Sequence, residues 1–188
     1  MIEISFILSV ALAHAATNLD NLAVMLALSP SVGRTRCVTA YLLTQLVYLG
    51  ISGIAGAAAI HLLGSWIGYL GLIPIGLGLF ALWQKDPSDA AAASMKSGST
   101  GKLMTIFAGL GIDTLVVISL LLGDSSNGWR GLIYIGALTS LSFLALAFLW
   151  LSTSRKGAAI LVQLTWLTPY VLIAVGVYIL LDSPTDMI

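Results

Sequence analysis

Two carboxylates stand where charge is ordinarily excluded. Of the eight acidic residues, six lie at chain ends or between apolar runs, whereas Asp20 and Asp113 lie deep inside such runs. A charged carboxylate at the centre of a membrane helix costs about 3 kcal/mol or more, so an acid placed there reads as part of a site. Around the first the sequence is Ala15-Ala16-Thr17-Asn18-Leu19-Asp20-Asn21-Leu22. His14, Thr17, Asn18 and Asn21 recur at spacings of three and four, a polar stripe on one helical face with Asp20 at its edge beside Thr17. Around the second, Gly109 and Gly111 precede Asp113 and Thr114. Glycines there either let helices approach closely or let one helix loosen and turn carbonyls into a cavity.

Together the carboxylates of Asp20 and Asp113, the amide oxygens of Asn18 and Asn21 and the hydroxyls of Thr17 and Thr114 make an oxygen-rich set suited to a divalent cation. Two negative charges balance one dication. Protons neutralise the same oxygens, so protons and metal compete for the pair, which is the chemistry of a proton-coupled antiporter. The alternative is that these residues only join helices by hydrogen bonds. His14, one turn before Asn18, either extends the set, relays a proton or is bonded within the bundle. Met25 reads as packing, with a thioether ligand as the other option. Gln45, Tyr48, Thr139 and Ser140 either line a path or bond helix to helix. His61 sits at a span end, and Cys37 is incidental.

The elements that must position these groups are membrane helices. The chain has 188 residues, 59% hydrophobic and 9% charged, with a mean hydropathy of +1.02. A soluble domain is nearer a quarter charged. At about 20 residues per crossing there is room for roughly six spans and no separate soluble catalytic module. Eight basic residues balance eight acidic ones, which excludes a basic field for nucleic acid, and one cysteine excludes an internal disulfide or a thiolate cage. No basic side chain precedes the first apolar run, which predicts an uncleaved first helix.

Apolar runs fall at about Ile4 to Leu28, Val38 to Leu63, Trp66 to Trp83, Leu103 to Gly123, Trp129 to Leu151 and Ala158 to Leu181. The reading is one all-α transmembrane transport domain over 1–188. Its first repeat covers about 1–84 and its second about 102–188, with a cytoplasmic loop over about 85–101 between them. Arg34, Arg36, Lys85, Lys96, Lys102, Arg155 and Lys156 fall in the odd-numbered loops, and Arg130 falls on the other side. That segregation predicts both termini outside the cytoplasm. Asp20 and Asp113 are 93 residues apart, Arg36 and Arg130 are 94 apart, and Pro74 and Pro169 are 95 apart. Two three-span halves with matched landmarks must face opposite ways, an inverted repeat. Pro74 and Pro169 are expected inside the third and sixth spans, each kinking its helix.

The stretches Ala16-Thr17-Asn18-Leu19-Asp20-Asn21-Leu22, Gly68-Tyr69-Leu70-Gly71-Leu72-Ile73-Pro74-Ile75-Gly76-Leu77-Gly78 and Gly111-Ile112-Asp113-Thr114-Leu115 resemble the CadD-type cadmium resistance transporters, a branch of the LysE superfamily of small six-span exporters. The resemblance implies efflux of a divalent metal as substrate, with no resident cofactor. It also implies Asp20, Asn21 and Asp113 as ligands and a bacterial cytoplasmic membrane as location. Thr114 stands where the family usually has Asn, residues 116–120 lack its Pro, and the central loop has only Asp86 and Asp89 for its acidic run. These departures leave open which cation is carried. A homodimer is compatible with the sequence, and nucleic acid is not expected as a partner. The competing functions are export of a small organic solute such as an amino acid, and intramembrane aspartyl proteolysis. The Gly109-Leu110-Gly111-Ile112-Asp113 string misses the protease signature by one residue.

Overall fold

A computed structural model describes residues 2–83, 99–153 and 165–181. Lys85, Asp86, Asp89, Lys96, Arg155, Lys156, Asp182, Asp186 and the first part of the sixth apolar run lie outside the described residues. The helices are α1 (Ile2–Thr17), α2 (Leu19–Val32), α3 (Arg34–Leu63), α4 (Leu72–Trp83), α5 (Thr100–Leu110), α6 (Ile112–Asp124), α7 (Asn127–Leu151) and α8 (Thr168–Leu180). Short 3₁₀ segments, Gly64–Gly71 and Thr165–Leu167, lead into α4 and α8.

Two of these helices, α3 and α7, are long and apolar enough to cross a membrane, or up to four spans result if the bent pairs α1–α2 and α5–α6 each count as one. The molecule is apolar outside and polar within. Leu8, Leu12, Leu46, Ile54, Phe143, Leu146 and Trp150 are exposed, while His14, Thr17, Asn18, Asn21, Thr44, Gln45, Thr114 and Ser140 are buried. That inversion suits a lipid surround.

The first and fourth apolar runs are each broken. α1 bends into α2 by 48° at Asn18, and α5 into α6 by 61° at Gly111. The backbone at the two breaks is nearly the same, φ −106° and ψ 5° at Asn18 against φ −100° and ψ 16° at Gly111. Asn18 interrupts its helix because its side chain bonds the carbonyl of His14 in competition with the helical ladder. Gly111 does so by its poor helix propensity. Gly33 ends α2 with φ 96°, a left-handed turn that favours glycine, and α3 starts at once.

The prolines correct the expectation of kinks. Pro74 is the third residue of α4 and Pro169 the second of α8. In a first turn the missing N–H has no intrahelical partner to lose, so each proline starts a helix after a 3₁₀ segment instead of bending one.

Packing directions follow from the contacts. Along α3, the Thr44 hydroxyl, which bonds the Ala40 carbonyl of its own helix at 2.9 Å, lies 3.5 Å from the Met104 carbonyl, Tyr48 donates to that of Ala108 and Ser52 to that of Leu115 (3.3 Å), so α3 runs parallel to α5–α6. Along α1, Phe6 meets Trp129 edge-on at 5.0 Å, Val10 packs on Gly136, and His14 bonds Ser140, so α1 and α7 are parallel. The third pairing is antiparallel: Gly71 sits on Gly176, and Gly78 on Pro169. Each bent pair thus packs along the long helix of the other half, while the third segments of the two halves pair with each other.

Two apolar clusters lie at opposite ends. One gathers Leu22, Met25, Tyr41, Phe107, Leu144 and Phe148, and the other Phe6, Val10, Leu49, Val117, Ile133 and Leu172. Four helical tracks cross from one cluster to the other, and each carries buried polar residues at the crossing: His14, Thr17 and Asn18 on α1–α2, Thr44 and Gln45 on α3, Thr114 on α6, and Ser140 on α7. A polar layer is therefore sandwiched between two apolar ones. At the first cluster's end, Arg34 donates to the Ser152 carbonyl (2.9 Å), and Arg34 and Arg36 border a cleft with Thr100, bringing the turns at 33, 99 and 152 together.

A methyl group on Gly71 would stand 2.4 Å from the Gly176 carbonyl oxygen, and one on Gly176 2.5 Å from that of Gly71, whereas one on Gly76 meets nothing within 4 Å. Gly71→Ala and Gly176→Ala should therefore each cost about 1–3 kcal/mol through overpacking, with Gly76→Ala neutral or stabilising. Thermal unfolding of the three variants in detergent micelles checks the order.

Candidate functional site

The polar layer is organised by the two breaks. A helix end leaves its last carbonyls without intrahelical donors, and inside an apolar bundle they must find others. At the end of α1, the His14 carbonyl accepts from Thr17 Oγ1 (3.1 Å) and Asn18 Nδ2 (2.9 Å), that of Ala15 from the Asn18 N–H (3.1 Å), and that of Ala16 from Thr168 Oγ1 (2.9 Å). The Thr17 carbonyl lies 3.5 Å from the Thr114 hydroxyl. The first three are thus satisfied. At the end of α5, the Phe107 carbonyl accepts from the Gly111 N–H (3.0 Å) and that of Ala108 from the Tyr48 hydroxyl.

Of the six oxygen-bearing residues expected at the site, three form a closed circuit between the breaks. Asn18 Nδ2 donates to Thr114 Oγ1 (3.1 Å), Thr114 Oγ1 donates to Thr17 Oγ1 (3.0 Å), and Thr17 Oγ1 donates to the His14 carbonyl that Asn18 also holds. Thr17, Asn18 and Thr114 are buried and tie α1 to α6. Asn21 donates from Nδ2 to Asn18 Oδ1 (3.1 Å), and its own Oδ1 is enclosed with no hydrogen-bond partner.

Asp20 and Asp113 each lie two residues beyond a break, in the first turn of α2 and of α6. A helix N-terminus favours a carboxylate through its oriented N–H groups. Asp113 Oδ1 accepts the Thr114 N–H at 2.7 Å. Both acids are partly exposed, and they are close enough to interact electrostatically. Tyr48 also lies within the field of Asp113. The convergence centres on Gly111, where a methyl would stand 3.1 Å from the Tyr48 ring and 3.4 Å from Asn21 Nδ2. The bent pairs thus meet at Gly111, where Asn21 of α2 and Tyr48 of α3 come together two residues before Asp113.

The other residues singled out in the sequence separate cleanly. His14 is buried with Nδ1 3.1 Å from Ser140 Oγ, and its Nε2 has no partner. Among the described residues, no three of His, Cys, Asp and Glu converge as a metal-binding group. Met25 is packed in the first apolar cluster with Cys37, and His61 is exposed at the end of α3. Ser140 faces inward. Its neighbour Thr139 is exposed and bonds only the Ile135 carbonyl of its own helix (2.7 Å). Gln45 is fully buried, with neither amide atom bonded.

Sequence reasoning missed Thr168, which closes the Ala16 carbonyl from α8; the readable signal was a hydroxyl residue directly before Pro169, a pair that favours a helix start. A cavity of about 350 Å³ between α1 and α8 is lined by Phe6, Val10, Ala13, Leu121 and Val175, and its lining includes neither acid. Compared with protein-family models, curated proteins and solved structures, the chain gives no match.

The circuit makes Thr114 the joint between the halves. Thr114→Val keeps the shape and removes the acceptor for Asn18 and the donor to Thr17, and should cost about 1–3 kcal/mol. Thr114→Ser keeps the hydroxyl and should recover most of that. The unfolding midpoints of the two variants in one detergent check the pair.

Proposed function

We propose that the protein is a membrane transporter that exports a divalent metal cation, with protons as counter-ion. The observation that carries this reading is the placement of two acids, Asp20 and Asp113, each two residues beyond one of two matched helix breaks, beside a buried polar layer flanked by apolar clusters. Two like charges brought together in such surroundings favour either protonation or a shared cation. Exchange of one metal ion for two protons leaves the charge of the pair unchanged in both states. In this scheme Asp20, Asp113 and Asn21 hold the ion, and Thr17, Asn18 and Thr114 hold the two breaks in register.

The remaining architecture follows in the same reading. Six spans alternate in direction, the first and fifth parallel, the second and fourth parallel, the third and sixth antiparallel. The packing of α1 on α7, α3 on α5–α6 and α4 on α8 supports this order. The two breaks 93 residues apart, with near-identical backbone angles, support an inverted repeat. The arginine-bearing end at 33, 99 and 152 is assigned to the cytoplasm and both termini to the far side, by the excess of basic residues in cytoplasmic loops. The CadD-type resemblance supports a bacterial cytoplasmic membrane and export of cadmium or a related divalent ion, with the choice of ion set by the ligands of the site.

The described Lys and Arg residues, Arg34, Arg36, Lys102 and Arg130, stand at helix ends. An amino-acid substrate would need a cationic group for its carboxylate within the layer, so a bare cation fits these surroundings better than a zwitterion. The polar layer also has a use in transport that proteolysis would not require. In cells challenged with Cd, Zn, Mn, Co and Ca salts, the wild type should raise tolerance to at least one cation and lower its accumulation. Asp20→Asn and Asp113→Asn should each cut that flux by about tenfold or more, as removal of a metal-site carboxylate does. Wild-type flux in either variant overturns the reading. Cleavage of a single-span reporter, or amino-acid efflux without cation efflux, would replace it.

A further inference from the structure

The polar layer extends onto α3, a helix that carries neither acid. Gln45 is fully buried there, between Thr44 and Tyr48. Those two neighbours spend their hydroxyls on backbone carbonyls: Thr44 bonds that of Ala40 on its own helix at 2.9 Å, with that of Met104 3.5 Å away, and Tyr48 bonds that of Ala108 on α5. Gln45 does neither. Its Oε1 and Nε2 are enclosed without a hydrogen-bond partner. Leaving a buried polar group unbonded is costly, and an amide that only joined helices would be bonded to one of them. The same holds for Asn21, whose Nδ2 is fixed by Asn18 while Oδ1 is left over. Asn21 stands beside Gly111 with the Tyr48 ring, and Tyr48 is one turn along α3 from Gln45. The layer therefore contains two buried amides with unused oxygens, one on each of two neighbouring helices, and one of them, Asn21, directly follows Asp20 in the chain.

We infer that Gln45 is a third-helix ligand of the transported ion: its amide oxygen, with that of Asn21, completes the shell begun by Asp20 and Asp113 and biases the site toward hard cations. The inference rests on the cation-transport reading above and deepens it. Two carboxylates neutralise a dication but offer too few oxygens to replace its hydration, and hard ions take six or more oxygen ligands. Neutral amide oxygens supply the difference without adding charge that would hold the ion too tightly to release. The choice of ligand then decides the ion, since carbonyl oxygen favours Mn and Ca whereas a thioether favours Cd. Met is close to Gln in length and shape, so Gln45→Met exchanges a hard donor for a soft one at nearly constant volume.

The test is cation uptake by the full-length protein in liposomes, with Mn²⁺ and Cd²⁺ as separate and competing substrates, for wild type, Gln45→Met, Gln45→Leu and Asp113→Asn. Gln45→Met should raise the Cd to Mn preference by about tenfold through a weaker KM for Mn²⁺, and Gln45→Leu should weaken both ions by about ten- to a hundredfold. An unchanged Cd to Mn ratio in Gln45→Met, in protein whose transport Asp113→Asn still abolishes, overturns the role of Gln45 and leaves the transport reading intact. Absence of cation uptake by wild type overturns both. If Gln45→Leu does not fold, the ratio in Gln45→Met decides alone. A structural amide would change stability on substitution without changing which ion is preferred.

Discussion

A helix broken inside an apolar bundle must find donors for its last carbonyls without water, and the centre of this molecule is arranged around that demand. Where α1 ends, Thr17, Asn18, the Asn18 N–H and Thr168 supply donors to three successive carbonyls, and one of those donors comes from a distant helix. The break is thus set by local back-bonding and reinforced by a contact from α8. In return it turns a helix N-terminus toward the centre, with Asp20 in its first turn. Oriented N–H groups there offset part of the cost of burying a carboxylate.

The second break meets the same demand by different means. Gly111 supplies the bend, and its bare Cα lets the Tyr48 ring and the Asn21 amide approach to where a side chain would stand. Tyr48 reaches across from α3 to the Ala108 carbonyl. One break is therefore closed mainly by polar side chains of its own segment and the other by an aromatic from a neighbouring helix. Near-identical backbone angles at the two positions show that geometry, more than residue identity, is common to the halves.

Much of this was readable from the residues, and the limits are physical. Scarcity of charge exposed Asp20 and Asp113, because in so apolar a chain an acid away from the ends carries a burial cost that only a site would offset. The equal spacing of Asp, Arg and Pro landmarks pointed to two related halves, and helix breaks with similar backbone angles fall at 18 and 111. The break at Asn18 was not legible: the polar stripe from His14 to Asn21 keeps helical spacing, and only the back-bonding of the Asn18 amide ends the helix. The prolines misled for a related reason. Hydropathy runs smoothly through Leu70 and Leu72, so nothing in it marks the change from 3₁₀ to α geometry that makes Pro74 a first-turn residue. Thr17, Asn18 and Thr114 looked like ligands by type, but their tie to one another depends on α1 meeting α6, which local sequence cannot specify.

The sandwich of layers also explains how so apolar a protein can hold so polar a centre. Leu22, Phe107 and Phe148 close one side of the layer, and Val10, Val117 and Ile133 close the other. Apolar walls remove competing water, which strengthens each hydrogen bond of the circuit and raises the cost of any group left out of it. The walls therefore sort the polar residues into those that complete the circuit and those with atoms to spare. Thr17, Asn18 and Thr114 fall in the first group, and Asn21 and Gln45 in the second. The unbroken helices α3 and α7 run through both apolar clusters. The bent pairs carry the charge, and the straight helices carry the walls against which those pairs are held.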